Sequence, residues 1–378
     1  MTDSDDRQLI RLPSLDGLRA LAVVLTSLVH IGPELVPGGF LGVDVFFVLS
    51  GFLITSILLG EFGRTGRIAL RSFYVRRARR LLPAVLALIA VFTVVVALSS
   101  PDRRDLVVAG VVDLGVLTYT FNLGPLLGHN PPWQVDHLWS LSVEEQFYLL
   151  WPVLLVLLLK VAGRRTIMII TAAGALASTV GQALIFALTH SVAWGYVASP
   201  FHANGILLGC LLAQLYVWRK AEGQFHWIAT KSWPLVVSLT VLLVLSLVLD
   251  VNGMSTYAGG ILLGAMAAGV LVAGMVGRDT FGLTAGWLSR VFRSRPLVAI
   301  GKRSYSIYLW ENFVAWSLSG SLRGTWWWIP VNVVATLLCA EISYRFIEHR
   351  FVRPRPRTRG KHSVGARRQA GEAKVVSP

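Results

Sequence analysis

Apolar segments of nearly twenty residues recur along this chain and are separated by short stretches rich in polar and basic residues. A membrane-crossing helix needs about 20 such residues to span about 30 Å of hydrocarbon. The pattern therefore predicts an all-α polytopic membrane protein with eleven candidate spans. They are residues 12–35, 40–60, 81–99, 105–125, 145–160, 166–188, 200–218, 233–250, 256–277, 297–318 and 325–347.

Basic residues cluster in alternate loops, and this distribution predicts how the chain is oriented. Residues 61–80 carry seven arginines, so the positive-inside rule places this loop and both termini in the cytoplasm. An even number of crossings must then separate residue 80 from residue 160, although three candidate spans lie between them. The weakest is 105–125, which contains Asp113 and several glycines. We predict that it is re-entrant or lies at the outer surface, and that ten helices cross the membrane.

The composition favours a membrane protein and argues against other classes. The 378 residues are 54% hydrophobic, and the mean hydropathy is +0.62. The net charge of +15 is concentrated in the loops and tail, so we expect contact with anionic membrane lipids and no nucleic-acid partner. The two cysteines lie in apolar spans and show neither a disulfide framework nor metal-ligand spacing.

The chain is predicted to have three parts. Residues 1–11 are polar and acidic, which indicates a cytoplasmic segment rather than a cleavable signal peptide. Residues 12–348 form the membrane-embedded domain, without an internal repeat or a separate soluble domain. Residues 349–378 are basic and contain prolines, so we predict a disordered cytoplasmic tail.

Ionisable residues inside the spans are the candidate functional groups, because a charge at the centre of a bilayer costs about 3 kcal/mol on insertion scales. Arg19 and His30 both lie in the first span. At about 100° per residue, His30 returns to within about 20° of the Arg19 direction, about 16 Å further along the helix. One helix face therefore presents a cation near the cytoplasm and an imidazole deeper in the membrane. The alternative is that Arg19 snorkels to the headgroups and His30 marks the far interface.

The predicted topology also sorts the other polar residues by depth. The outer half contains Asp44, His137, Glu144, Glu145, His202, Asn204 and Glu311, and the inner face contains Arg76, Arg77 and Arg80. An inner cationic mouth suits a polyanionic donor, because arginine binds phosphate through charge-assisted hydrogen bonds. An outer histidine with carboxylates suits general-base chemistry on a hydroxyl. The simpler alternatives are helix-dipole stabilisation for the two adjacent glutamates, an exposed interfacial position for Asp44, and lipid contact for the arginines.

Several motifs resemble those of the acyltransferase-3 family of integral membrane acyltransferases. They are Arg19 and His30 separated by ten residues, G-G-F-L-G-V-D-V-F-F-V-L-S-G-F-L-I-T (38–55), F-Y-V-R-R-A-R-R-L-L-P (73–83), H-L-W-S-L-S-V-E-E-Q-F-Y-L (137–149), S-Y-S-I-Y-L-W (304–310) and E-I-S-Y-R-F-I-E (341–348). They follow the family's order and cover nearly the whole chain. The resemblance implies transfer of an acyl group, acetyl by default, from cytosolic acyl-CoA. The implied acceptor is a hydroxyl of a sugar, glycolipid or similar molecule at the outer face of a bacterial cytoplasmic membrane.

The resemblance also implies roles for particular residues. The donor's phosphate groups would be held by Arg19, Arg76, Arg77 and Arg80. His30 would deprotonate the acceptor or briefly carry the acyl group, and Glu144 or Glu145 would orient it. The acceptor-side candidates are Asp44, His137, His202, Asn204 and Glu311. Acyl-CoA is expected as a co-substrate, with no bound cofactor and no metal.

The chain departs from the family pattern at two positions and in its extent. His202 and Asn204 stand where many members have Arg-x-Asp, and Glu311 stands where many have histidine. Both departures put the acceptor in doubt more than the reaction. We also expect no extracytoplasmic hydrolase-like domain, so a separate acceptor-handling protein is a possible partner. The alternatives are a transporter that uses the same charges, although no repeated halves are found, and a catalytically inactive relative.

Overall fold

The computed structural model describes residues 12–100, 102–219, 222–283 and 286–352, and all regular structure within these ranges is helical. The main helices are α1 (Pro13–Ile31), α2 (Leu41–Thr65), α3 (Leu70–Ser99), α4 (Arg103–Leu117), α5 (Trp139–Val161), α6 (Arg164–Thr189), α7 (Asn204–Arg219), α8 (Glu222–Thr230), α9 (Trp233–Val248), α10 (Ile261–Thr280), α11 (Trp287–Phe292), α12 (Arg295–Lys302), α13 (Ser304–Leu322) and α14 (Trp328–Ser343). Shorter helical turns lie at Leu123–Leu126, Asp136–Leu138, Ala193–Val197, Thr256–Gly260, Tyr344–Glu348 and His349–Val352.

Seven helical stretches are long and apolar enough to cross a membrane, which confirms the all-α polytopic fold. They are Pro13–Ile31, Leu41–Thr65, Leu70–Ser99, Asp136–Val161, Arg164–Thr189, Thr256–Thr280 and Trp328–Phe351. Helices α7 and α9 are apolar but shorter, and α13 is a 19-residue helix interrupted by polar side chains such as Glu311 and Asn312. The protein is therefore a multi-pass integral membrane protein. The number of ten crossings stays a prediction.

The centre of the bundle is formed by α1, α2 and α10. In the apolar windows of these three spans, 61%, 78% and 72% of residues are buried, against 22% in α6. The outer surface of α6 instead exposes leucines such as Leu176 and Leu184. Lipid tails solvate such side chains, so an apolar outer face and a polar, buried interior are compatible in one helix bundle. The buried centre is where ionisable side chains can meet.

Glycines bring α2 and α7 into close contact. A Cβ atom added at Gly51 would overlap the carbonyl oxygen of Ile206, and one added at Gly209 would overlap the carbonyl oxygen of Val48. Small residues allow this backbone approach between membrane helices, where van der Waals packing supplies much of the association energy. The crossing fixes α2, the helix that carries Val43, Asp44 and Ser50.

The segment 105–125 is not one continuous helix, because α4 ends at Leu117. A 15-residue helix is about 22 Å long, which is shorter than the hydrocarbon core. The chain reverses after α3, and α4 runs back along it, with Thr93 Oγ1 donating to Asp113 Oδ2 at 2.5 Å. Beyond α4 the chain reaches α5, where Gln146 Nε2 donates to the Tyr119 carbonyl oxygen at 2.7 Å. The position of residues 105–125 relative to the bilayer stays a prediction.

Most of the two predicted terminal segments lies outside the described residues, namely residues 1–11 and residues 353–378. The first four residues assigned to the tail, His349–Val352, form a helical turn that continues the last transmembrane stretch through the π-helical turn Tyr344–Glu348. The helical part of the domain therefore extends a few residues past the predicted boundary at 348.

Substitution of Gly51 by alanine tests the close crossing of α2 and α7. The added methyl group has to displace backbone, so we expect a loss of about 1–3 kcal/mol in stability, measured as a lower thermal-unfolding midpoint in detergent. Gly63→Ala is the matched control on the same helix, because an added Cβ there meets nothing within 4 Å. Equal unfolding midpoints for the two variants would contradict the close packing.

Candidate active site

Two cavities lie within the helix bundle, on either side of a shared wall. The empty space, counted together with the open mouth of each cavity, is about 1040 Å³ for the inner cavity and about 710 Å³ for the outer cavity. The polar residues that line the inner cavity are Arg19, Ser50, Arg77, Arg80, Ser140, Glu144, Tyr148, Ser304, Tyr305 and Tyr308. Those that line the outer cavity are Thr26, His30, Asp136, His137, Trp139, Tyr196 and Tyr308. The terms inner and outer follow the predicted orientation of the chain.

Helix α1 contributes to both cavities, as the spacing along its face predicts. Arg19 lines the inner cavity and His30 lines the outer cavity. Arg19 Nη1 donates to Asp16 Oδ1, one turn earlier, at 2.7 Å. The helix begins at Pro13, a residue suited to the first helical turn because it needs no backbone hydrogen-bond donor there. One continuous helix thus sets the separation between the cationic group and the imidazole.

Helix α3 adds two further arginines to the inner cavity. Arg77 stacks on the ring of Tyr148, with its guanidinium carbon 3.3 Å from the ring centroid. Its Nε atom lies 3.9 Å from Glu145 Oε1, which partly compensates a buried positive charge. Arg80 is three residues further on the same helix face and also lines the cavity. Arg76 and Arg80 are both exposed, but Arg76 does not line the cavity, so its predicted contact with the donor has no support in the geometry.

Glu144 lies at the wall of the inner cavity and accepts hydrogen bonds from two hydroxyl groups. The donors are Ser50 of α2 and Tyr148, the latter at 2.5 Å from Glu144 Oε1. The bond from Ser50 ties α2 to α5 beside the arginines, and the bond from Tyr148 lies within α5. Hydrogen bonds that favour a carboxylate lower the cost of keeping it away from water.

His30 is paired with Glu311 of α13. The distance from His30 Nδ1 to Glu311 Oε1 is 3.0 Å, and Glu311 is buried with 2% of its surface exposed. If Nδ1 carries the proton and donates it to the carboxylate, Nε2 is left as a proton acceptor. A carboxylate in this position also stabilises the imidazolium that forms when Nε2 takes a proton. The pair therefore has the arrangement of an oriented general base at the edge of a cavity.

A second histidine lies next to His30. The ring centroids of His30 and His137 are 6.2 Å apart. His137 is buried, and within the described residues neither of its ring nitrogens has a hydrogen-bond partner. The preceding residue, Asp136, accepts from Asn312 Nδ2 at 2.6 Å, which holds this turn against α13. The outer cavity thus presents two imidazoles and one carboxylate to a ligand.

Asp44 and His202 form a separate pair in the core. Asp44 Oδ1 lies 2.9 Å from His202 Nε2, and the Tyr196 carbonyl oxygen lies 2.5 Å from His202 Nδ1. Both side chains are completely buried, and Trp139 stacks on the imidazole at 5.7 Å. Neither residue lines the inner or the outer cavity.

Asn204 is also engaged within the core. Its Nδ2 atom donates to Gln182 Oε1 at 3.0 Å, and its Oδ1 atom accepts from the Gly205 backbone at 2.7 Å. Like Asp44 and His202, it does not line either cavity. The prediction that these three residues face an acceptor therefore gains no support, whereas His137 and Glu311 do lie at the outer site.

The carboxylate hydrogen-bonded to His30 in the structure is Glu311, whereas Glu144 and Glu145, for which we predicted the orienting role, make other contacts. The reason is depth along α5. His137 is close to His30, and Glu144 comes seven residues later, about 10 Å further along the helix. Among the described residues, Glu144 pairs with Ser50 and Tyr148, and Glu145 lies near Arg77. Both glutamates therefore belong to the inner side of the site.

Sequence reasoning missed several residues that complete the site. They are Asp136, Tyr148, Tyr305, Tyr308 and Asn312. Tyr308 precedes Glu311 by three residues, so helical spacing already places the two on one face of α13. Asp136 and His137 adjoin each other in a polar turn before an apolar span. The sequence signal for such residues is a tyrosine at helical spacing from a charged residue in the same span.

Tyr119 lies in the turn after α4, outside the membrane-spanning helices. Burial, reinforced by the nearby charge of Glu145, raises the pKa of its hydroxyl to about 12. The hydroxyl therefore stays protonated at neutral pH.

The described residues contain no group of three or more histidine, cysteine or carboxylate side chains placed to hold a metal ion. The inner cavity instead offers arginines, which bind phosphate groups through directed hydrogen bonds. An elongated, phosphate-bearing ligand could therefore bind with its charged end at α1 and α3 and its other end toward α13.

A helical membrane bundle with an arginine-lined cavity on one side and a histidine–carboxylate pair on the other defines a class of membrane enzyme suited to group transfer. Comparison with known proteins identifies the class more closely. Residues 12–345 match the acyltransferase domain that defines the acyltransferase-3 family, and the chain belongs to this family.

Curated relatives include two O-acetyltransferases from bacteria. The chain is 32% identical over 356 residues to the peptidoglycan O-acetyltransferase OatA of Listeria monocytogenes, covering 89% of this chain and 55% of that protein. It is 35% identical over 356 residues to the O-acetyltransferase OatA of Staphylococcus aureus, covering 89% of this chain and 56% of that protein. The chain thus spans little more than half the length of these relatives. No solved structure matches it.

Replacement of Glu311 by glutamine tests the pairing with His30. Glutamine can still accept a hydrogen bond from Nδ1 but cannot stabilise an imidazolium, so we expect acyl transfer to slow by about 10²–10⁴-fold. The change is measured by comparing initial rates of acyl transfer for the wild type and the variant in nanodiscs. Glu341→Gln is the control, because Glu341 pairs with Arg303 and Arg345 away from both cavities. Unchanged turnover in Glu311→Gln would remove the proposed orienting role.

Proposed function

We propose that this protein is a membrane O-acyltransferase that moves an acetyl group from cytosolic acetyl-CoA to a hydroxyl of a glycan or glycolipid at the outer face of a bacterial cytoplasmic membrane. The observation that carries the proposal is that helix α1 lines both cavities, with Arg19 in the inner cavity and His30 in the outer cavity. Membership of the acyltransferase-3 family supports the reaction class. The names of both relatives support acetyl as the transferred group, and the name of the Listeria protein supports peptidoglycan as a candidate acceptor.

The inner cavity binds the donor in this proposal. The phosphate groups of acyl-CoA lie against Arg19, Arg77 and Arg80, because guanidinium groups form strong charge-assisted hydrogen bonds with phosphate. The thioester end extends between α2 and α13 toward His30. Much of the binding energy then comes from the part of the donor that does not react, and this energy serves to position the thioester.

In this proposal, the acyl group is transferred in the outer cavity. As the acceptor oxygen attacks the thioester carbonyl carbon, His30 Nε2 removes the hydroxyl proton, and Glu311 stabilises the resulting imidazolium. The carbon–sulfur bond breaks, the ester forms, and the proton passes from His30 to the thiolate of CoA. The imidazole is then neutral again. In the other route, Nε2 itself attacks the thioester, the carbon–sulfur bond breaks, and CoA leaves as the thiolate. The acceptor oxygen then attacks the acyl carbon, the bond to Nε2 breaks, and the hydroxyl proton neutralises the thiolate.

His30 is the residue on which both routes depend. In purified protein reconstituted in nanodiscs, we expect His30→Ala to remove acceptor-dependent release of CoA from acetyl-CoA. The variant should remain folded and inserted, with a lower thermal-unfolding midpoint because buried Glu311 loses its partner. The acceptor panel should include peptidoglycan fragments, lipid-linked glycans and glycolipid extracts. A hydroxylamine-sensitive label on wild-type protein incubated with radioactive acetyl-CoA alone would favour the acyl-histidine route.

Two results would count against this function. Turnover by His30→Ala at the wild-type rate would remove His30 from the chemistry. No binding of acetyl-CoA to the wild type would favour a transporter that uses the same charges. Binding without turnover across the panel would indicate that a separate acceptor-handling protein is required.

Substitution of Arg80 by glutamine tests the binding of the donor. Loss of charge-assisted hydrogen bonds to phosphate, each worth about 1.5–3 kcal/mol, should raise the KM for acetyl-CoA about 10–100-fold in Arg80→Gln. The KM for the acceptor should stay nearly constant. Arg79→Gln is the matched control, because Arg79 is an exposed neighbour that does not line the inner cavity. Equal changes in both KM values would contradict a donor-specific role.

A further inference from the structure

The inner and outer cavities share a wall formed by two side chains. Of the residues that line the two cavities, only Val43 of α2 and Tyr308 of α13 line both. Arg19 lies on the inner side of this wall and His30 on the outer side. A thioester whose CoA moiety is held at the arginines therefore meets Val43 and Tyr308 before it reaches the imidazole.

Tyr308 is held in place on several sides. Its hydroxyl donates to the carbonyl oxygen of His137 at 2.6 Å and also forms a hydrogen bond with the Ser140 hydroxyl. Its ring packs edge-on against His137, with centroids 5.1 Å apart, and against Phe46, with centroids 6.4 Å apart. A tyrosine anchored at its hydroxyl and packed along its ring is a fixed surface, because few rotamers satisfy all these contacts.

Val43 is fixed through the backbone of α2. The neighbouring residue, Gly42, lies so close to α1 that an added Cβ would overlap the carbonyl oxygen of Ala22 and the hydroxyl of Thr26. Helix α2 therefore cannot move toward α1, and the contact with α7 at Gly51 limits its movement on another side. Val43 itself is buried, with 6% of its surface exposed. Both members of the wall are thus held by close packing, and such packing does not yield easily to extra volume.

We propose that Val43 and Tyr308 form a size filter between the donor and acceptor cavities, which admits the acetyl thioester to His30 and excludes longer acyl chains. This inference rests on the proposed acyl-CoA-dependent function and adds the residues that determine donor specificity. Valine and tyrosine present only hydrocarbon and an already engaged hydroxyl at the wall, so selection there depends on shape rather than on polar recognition. An added methylene in such a site changes specificity by about 10–200-fold.

The test compares acetyl-, propionyl- and butyryl-CoA as donors for the full-length protein in nanodiscs, with the acceptor that supports turnover. Val43→Ala removes two methyl groups from the wall. We expect its propionyl-to-acetyl ratio of kcat/KM to rise at least about 10-fold over the wild type. Val45→Ala is the matched control: it makes the same change on the same helix, at a buried residue that lines neither cavity. Its ratio should equal that of the wild type.

Tyr308→Phe provides a second, independent variant should Val43→Ala fold poorly. It keeps the ring and removes the two hydrogen bonds that hold it, so the propionyl-to-acetyl ratio should rise here too. An active Val43→Ala or Tyr308→Phe variant with the wild-type donor profile would overturn the size filter, as would a wild type that uses butyryl-CoA as well as acetyl-CoA. If the wild type bound none of the three acyl-CoA donors, the proposed function itself would fail. The two failures are therefore distinguishable.

Discussion

The hydrogen bond between His30 and Glu311 joins the first span to a span near the end of the chain, and the outer site is built around it. Inside a membrane, an imidazole or a carboxylate without a partner is costly, so each of these residues makes the other tolerable. The pairing also restricts the imidazole to one useful tautomer, with Nε2 available for a proton. A contact that lowers the cost of burial therefore also prepares the group for chemistry.

The bundle contains a second histidine–carboxylate pair, which differs from the first in its access to a cavity. Asp44 and His202 are as close as His30 and Glu311, but both are completely buried, and both imidazole nitrogens face oxygen atoms. His30 keeps 20% of its side chain exposed and lines a cavity. The chemical groups are the same, whereas access to a ligand differs. The core pair links α2 to the start of α7 and leaves no nitrogen free to accept a proton.

The sequence was most informative where helical geometry alone determines position. The eleven-residue spacing of Arg19 and His30 predicts that one helix presents a cation and an imidazole at different depths, and the structure places them in two cavities. Apolar length likewise predicts the membrane helices. The partner of His30 could not be predicted in this way, because Glu311 is 281 residues distant along the chain and only helix packing brings the two together. The same limit applies to Asp44 and His202, whose mutual burial no local pattern reveals.

Close packing around α2 connects these observations. Its glycines allow α1 and α7 to approach its backbone, and this leaves little freedom for the side chains that lie between the cavities. An enzyme that joins a charged donor on one side to an acceptor on the other needs a passage for the reacting group and a barrier to everything else. In our proposal, closely packed hydrocarbon and one anchored tyrosine provide the barrier, which excludes by volume and requires no charged group at the boundary between the cavities. Rigidity in α2 is therefore as much a requirement of the site as the charged residues that flank it.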